Sequence, residues 1–299
     1  MNVIKIEPLV KKIILLISFI IITANTYLLL SNSSIYSQIQ NIAAMGLYPY
    51  VVLLLCIIFF ITRSNIKELY RISKDQEIEL TYFISGIVLI SLSILMPKNV
   101  DLPYIVFKII LGYLGIYFLV IGKFAILPTY LLSIYGFSIA FPEFAEQHTS
   151  ETFLQFITWI TVKISSIFIP VNFSNYTIRI ISLTEENILI IINTACTGVA
   201  ALALFIAIFA LMMADIPLPK KDAAFFFIFG VIGTFVQNIL RLVMLTMIGY
   251  YFGSQALSNA HEVIGYILFG LYYMLFAYLY LKKARHYRIA GQSIQLQQP

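Results

Sequence analysis

The chain has 299 residues, 61% of them hydrophobic and 11% charged, with a mean hydropathy of +0.93, a balance far more apolar than soluble domains carry. A net charge of +5 would point to nucleic acid in a soluble protein, but here Lys and Arg gather at the ends of apolar runs, where they report membrane orientation and imply no nucleic-acid partner. With 2 Cys and no GxGxxG, P-loop or HExxH pattern, the sequence offers no disulfide framework, no zinc cluster and no cofactor or metal box.

The apolar segments are long enough to cross a hydrocarbon core of about 30 Å as helices and lack the alternation of barrel strands. The expected fold class is therefore all-α, a polytopic membrane protein of about eight transmembrane helices. Lys5, Lys11 and Lys12 precede a first span at about 13–30, and the uncharged loop SNSSIYSQIQN comes after it, which puts the N-terminus inside. This apolar run exceeds the usual signal-peptide core and no clean small-residue cleavage site follows, so it reads as a retained span.

A second span at about 47–62 leads into a segment carrying Arg63, Lys67, Arg71 and Lys74, the clearest cytoplasmic loop. Spans three and four, about 81–96 and 104–122, flank the outer turn PKNVDLP, whose prolines suit a break. Lys123 marks an inner turn, and span five, about 124–141, delivers the chain outside at PEFAEQHTSE.

Counting back from the basic tail KKARHYR at 282–288, the last span, about 262–281, begins outside at His261. Span seven, about 223–248, begins inside beside Lys220 and Lys221, and span six, about 198–213, starts outside. The two counts agree if residues 154–195 do not cross. FLQFITWITVKISSIFI is interrupted by Thr158, Thr161, Lys163, Ser165 and Ser166 and carries Trp159, so it reads as a helix in the outer interface. YTIRIISLTEENILIIIN reads as a short β-hairpin around TEEN on the outer face. The sequons at Asn172 and Asn175 agree with that side.

This gives four expected parts: an N-terminal bundle over 1–141, an extracytoplasmic segment over 142–195, a three-helix segment over 196–285, and a cytoplasmic tail over 286–299. Three polar groups fall at one membrane level within the three-helix segment: Cys196 before span six, Arg241 within span seven, and His261 at the start of span eight. Counting from Tyr250, the Arg241 Cα lies roughly 13 Å below the outer end of its span. An arginine there is costly unless it faces a polar cavity or a partner, and Asn238 and Gln237 extend the same polar stripe. A snorkelling or structural arginine is the bland reading.

Cysteine is commonly a small buried hydrophobe, and Cys56, in VVLLLCIIFF, fits that description. Cys196 has a different setting. Thr194 or Thr197 is placed to cap the helix start, where N–H groups favour a thiolate, and Ala195, Gly198, Ala200 and Ala201 allow close approach of another chain. His261 read alone is as easily a surface histidine, whereas an imidazole beside a cysteine and an arginine serves as general acid and base, with Glu262 adjacent to orient it. His148 reads as a solvated loop residue and His286 as part of the inner tail.

The ordered elements ACTG at 195–198, NILR at 238–241 and His261 resemble those of the exosortase/archaeosortase family of multispanning cysteine transpeptidases. That family carries A-C-[small]-G, N-x-x-R and a third Arg or His on its last three spans. Thr197 stands where serine or alanine is frequent. The resemblance implies Cys196 as nucleophile, Arg241 as the group stabilising thiolate or oxyanion, and His261 as general acid and base, with Asn238, Thr197 and Gly198 in support. It further implies exported protein substrates with a C-terminal motif, a transmembrane helix and a basic cluster, and a membrane lipid as acceptor of the new C-terminus. The expected location is the cell membrane, multi-pass, with the active site facing the extracytoplasmic side and both termini cytoplasmic. Two other readings are a transporter or channel with a polar pathway at Arg241, and a non-catalytic factor in polysaccharide export.

Overall fold

The computed structural model describes residues 3–4, 48–63, 78–96 and 102–295. The first span expected at 13–30, most of the basic segment after Arg63, and residues 97–101 of the outer turn lie outside the described residues. The chain divides into two compact units, Met1–Phe144 and Ala145–Pro299.

In the first unit, strand β1 (Val3–Ile4) and helix α1 (Tyr48–Arg63) are followed by β2 (Ile78–Glu79), which pairs antiparallel with β1. Helices α2 (Leu80–Leu95) and α3 (Leu102–Ile121) come next, then a 3-10 turn (Gly122–Ala125) and α4 (Ile126–His148), which ends in the second unit. Rows of Leu, Ile, Val and Phe make these helices apolar on every side, as lipid-facing or fully packed helices are. The buried Lys108 of α3 donates from Nζ to the Met96 carbonyl at 2.9 Å, and Ser93 donates to the Lys108 carbonyl at 2.9 Å, which ties α2 to α3. Cys56 is buried and its thiol points at the Leu131 carbonyl at 3.8 Å, in keeping with a packing residue. The helix α4 runs through Pro142 to His148, so the stretch PEFAEQH is helical and His148 is an exposed helix-end residue where a loop was expected.

The second unit begins with α5 (Glu151–Ser165), whose first turn is capped by Ser150 Oγ accepting from the Phe153 N–H at 3.3 Å. Its 15 residues span about 22 Å, short of a bilayer core of about 30 Å. Of the polar residues that interrupt this segment, Thr158, Thr161 and Ser165 are buried, with Thr158 and Thr161 bonding to carbonyls one turn back at 2.8 and 2.9 Å, while Lys163, Ser166 and Trp159 are exposed.

Strands β3 (Asn172–Ser174), β4 (Thr177–Ile181) and β5 (Asn187–Ile191) form an antiparallel sheet in the order β3-β4-β5, with Ile178 opposite Ile190. The expected hairpin is present and gains a third strand, because the positive φ of 54° at Asn175 turns the chain back onto β4. Ile178, Ile180 and Ile188 are buried while Arg179, Ile181 and Leu189 are exposed, the period-two pattern of a half-buried sheet.

A 3-10 turn (Thr194–Thr197) leads into α6 (Val199–Asp215), and the unit closes with α7 (Lys220–Gln295), broken at Gly253. The two limbs of α7 lie antiparallel. Tyr272 of the second donates to the Gly230 carbonyl of the first at 3.2 Å, and Lys283 pairs with Asp222 at 3.7 Å. Tyr273 and Tyr280 fasten the second limb to the chain of α6 through the Ala201 and Ile216 carbonyls at 2.6 and 2.7 Å.

The polar residues between 248 and 262 predict a loop there, with His261 opening the last span. Instead one glycine makes the reversal and residues 254–261 are helical, so His261 sits inside the second limb. The helix also continues through the basic residues to Gln295.

Among the described residues, Lys220–His261 and Val263–Tyr287 are long and apolar enough to cross a membrane. Val51–Phe60, Leu80–Leu95, Tyr104–Val120 and Val199–Asp215 are apolar but shorter. Phe225, Ile228, Ile232, Val236, Leu240 and Met244 form an exposed stripe at helical spacing along α7, a face made for lipid.

Candidate active site

Cys196 sits in the 3-10 turn immediately ahead of α6, and the cap of that turn is Asn193, not either threonine. The Cys196 N–H lies 3.2 Å from Asn193 Oδ1 and 3.0 Å from the Asn193 carbonyl, and both accept from it. Asparagine does this readily because its short side chain reaches the N–H two or three residues on. Thr197 instead donates to the Thr194 carbonyl at 2.6 Å, tightening the same turn from the other side.

Gly198 then takes φ 84° and ψ 13° to redirect the chain into α6, a conformation that a side chain resists. It has a second reason to be glycine. A Cβ at 198 would stand 2.8 Å from Asn238 Cγ. Asn238, fully buried on α7, uses that space to donate from Nδ2 to the Cys196 carbonyl at 2.8 Å. Two of the expected supporting residues therefore meet around the backbone of the cysteine turn.

The Cys196 side chain is 7% exposed. It packs in the core made by Ile157 and Val162 of α5, Ile178 and Ile180 of β4, and Ile239, Leu242 and Val243 of α7. The sheet and α5 thus cover the same stretch of α7 that carries Asn238 and Arg241. Three isoleucines in alternation on the strands and the buried face of α5 supply that cover.

Arg241, one turn beyond Asn238, reaches across to the second limb of α7. Its Nη2 lies 3.3 Å from His261 Nε2 and donates to the His261 carbonyl at 3.2 Å. A guanidinium only donates, so Nε2 of His261 accepts and a neutral ring carries its proton on Nδ1. Gly265, one turn further, makes room for this crossing, since a Cβ there would be 3.2 Å from Arg241 Nε. Arg241 is also within electrostatic range of Cys196 and of Tyr266. Hydrogen bonds therefore join the Cys196 backbone to Asn238 and Arg241 to His261, with Arg241 in electrostatic range of Cys196.

Three buried polar atoms around this point have no hydrogen-bond partner: Arg241 Nε, Asn238 Oδ1 and Gln237 Oε1. Buried polar groups are normally paired, and a group of unpaired ones beside a nucleophile-type side chain is what a site prepared for a polar ligand looks like. Gly265 and Tyr266, four and five residues beyond His261 on one helix, were not anticipated from sequence. Among the described residues no three of His, Cys, Asp or Glu gather as metal ligands.

Residues 41–278 match the transmembrane exosortase family, a stretch that covers all three sequence elements and the Gly253 break and ends within the second limb. The chain belongs to the transmembrane exosortase family. Comparison with curated proteins and with solved structures gives no match. As an exosortase it is a membrane-embedded sorting enzyme, and the family acts on exported proteins bearing C-terminal sorting signals.

Proposed function

We propose that this exosortase is a cysteine transpeptidase in which Cys196 attacks the carbonyl at the sorting signal of an exported protein. As the developing oxyanion draws Arg241 Nη2 away, the freed Nε2 of His261 takes the thiol proton while the C–S bond forms, and the same proton passes to the leaving amine as the C–N bond breaks, leaving a thioester. Arg241 stabilises the thiolate and the tetrahedral oxyanion. A second nucleophile, in this reading a membrane lipid, then takes the acyl group and frees the cysteine. Asn238, Gly198 and Thr197 hold the cysteine turn in place.

The observation that carries the reading is the placement of Arg241. It bonds His261, lies in the electrostatic field of Cys196, and keeps a buried Nε–H with no partner. A lone structural arginine would be expected to satisfy that donor; one waiting for an oxyanion would not. Family membership favours this enzyme over the transporter and the export factor.

The proposed topology has about eight spans and both termini cytoplasmic, with a bundle over 1–141, an outer segment over 142–195, the catalytic segment over 196–285 and a tail over 286–299. Pairing of β1 with β2 puts residues 3–4 beside 78–79, in agreement with one side for the N-terminus and the basic segment. In α7 the basic residues Lys220, Lys221, Lys282, Lys283 and Arg285 lie at the open end of the hairpin. Arg241 is roughly 31 Å along the helix from Lys220, the thickness of a hydrocarbon core. The guanidinium thereby reaches the outer boundary, and the Gly253 turn stands about 18 Å beyond it.

Processing of a tailed substrate in reconstituted vesicles tests the proposal. Cys196→Ala, Cys196→Ser and Arg241→Ala are each expected to abolish cleavage while the protein still inserts. Wild-type cleavage by Cys196→Ala would end the proposal.

A further inference from the structure

The reversal between the limbs that carry Arg241 and His261 rests on one residue. Gly253 adopts φ 84° and ψ −177°, a region that essentially only glycine enters. A helix end and a helix start meet there, and each leaves backbone groups without intrahelical partners.

The turn between β4 and β5 supplies both partners. The Leu183 N–H donates to the Tyr250 carbonyl at 2.9 Å, closing the end of the first limb. Glu186 Oε2 accepts from the Ser254 N–H at 2.8 Å, closing the start of the second. A carboxylate at a helix N-terminus also gains from the helix dipole, and this bond holds the Glu186 carboxyl below its ordinary range. The turn itself is braced. Ser182 N–H donates to the Glu186 carbonyl at 2.9 Å, Ser182 Oγ accepts from the Glu186 N–H at 3.1 Å, and the Ser182 and Thr184 hydroxyls bond at 2.7 Å. A Cβ at Gly253 would stand 3.2 Å from Glu186 Oε2 and 3.3 Å from Thr184 Oγ1, so the clasp closes directly on the glycine.

We infer that Glu186 is a positioning residue that fixes where α7 breaks and thereby sets the register of His261 against Arg241. His261 lies about two helical turns beyond Ser254 on the same face, so nothing but regular helix separates the clasp from the imidazole. A slip of one residue at the break moves His261 by about 1.5 Å and turns it by about 100°. Either change removes the 3.3 Å contact with Arg241. The inference rests on the proposed roles of Arg241 and His261, and its test includes a readout that does not depend on them.

Spin labels at Leu240→Cys and Val263→Cys, both exposed positions on facing limbs, read the register by dipolar line broadening in a Cys56→Ala, Cys196→Ala background. Glu186→Ala is expected to change the broadening, with Glu186→Gln, which keeps an acceptor, intermediate. In the chain with Cys196 intact, Glu186→Ala is expected to lower kcat for tail cleavage by about tenfold or more with KM moved by less than about twofold, and Glu186→Gln to recover part of it. Unchanged broadening in Glu186→Ala, or altered broadening with wild-type kcat, overturns the inference. Should Glu186→Ala not be recovered folded, Glu186→Gln decides by the same two readouts in the same direction. Normal cleavage by Cys196→Ala would remove the proposed chemistry and leave the labelling result to stand by itself.

Discussion

Asn238 Nδ2 donates to the Cys196 carbonyl at 2.8 Å, across forty-two residues of chain and between two different helical elements. This bond and the Asn193 cap hold the backbone of Cys196 itself, from its carbonyl and its N–H respectively. Asn238→Ala leaves the carbonyl without its donor in a buried place, a loss of about 1–3 kcal/mol. Asn238→Asp, which has no donor when ionised, is expected to be at least as harmful. Thermal unfolding in detergent checks both, and tail cleavage should fall with stability or further.

Gly198 answers to two demands at once, φ 84° and the Asn238 side chain 2.8 Å from any Cβ. Gly198→Ala is therefore expected to destabilise the chain by about 1–3 kcal/mol. The clash is with the amide that holds Cys196, so cleavage should suffer as well. A Gly198→Ala chain with wild-type melting and cleavage would contradict this account of the turn.

At Gly265 the constraint is space alone. A methyl group would approach Arg241 Nε at 3.2 Å, which a small shift of the guanidinium relieves. Gly265→Ala should be mild, whereas Gly265→Val should push Arg241 away from His261 and lower kcat by about tenfold or more, with substrate KM little changed. Kinetics on the two variants separate the steric effect from a general loss of fold, which melting curves report independently.

Glu186 gives the pH dependence a definite sign. Its carboxyl titrates below the ordinary carboxylate range in the folded chain because the Ser254 N–H bonds the ionised form. The unfolded chain binds the proton first as pH falls, so the bond's contribution is intact above the ordinary range and is lost as pH drops through the lower, folded value. Urea unfolding of wild type against Glu186→Gln should show a difference near neutrality that shrinks in acid. A difference that grows in acid would contradict the assignment.

Much of the site is legible in the sequence because charge and polarity inside apolar helices are expensive. Arg241 and Asn238 stand out in a run of Leu, Met and Val for that reason, and Cys196 stands out by the small residues around it. The hairpin is legible from alternation around TEEN. The rest is hidden by chemistry that sequence patterns share. SNAHE looks like a loop because its residues are polar, yet it is helix, since Gly253 alone makes the reversal and Glu186 caps the second limb. Asn193, Thr194 and Thr197 are all capping residues, and only the backbone geometry selects the asparagine over the two threonines. Gly265 is silent because a glycine in an apolar helix reads as packing until its facing residue is known.

The central claim is that the Cys196 sulfur carries the substrate acyl group during the reaction. Mass spectrometry of wild-type protein quenched during turnover of a tailed substrate measures this directly. The expected result is a hydroxylamine-sensitive adduct on the peptide containing Cys196, with the mass of the substrate up to its cleavage point and absent from Cys196→Ala. Turnover at full rate with Cys196 unmodified, or with the acyl group on another residue, would contradict the account.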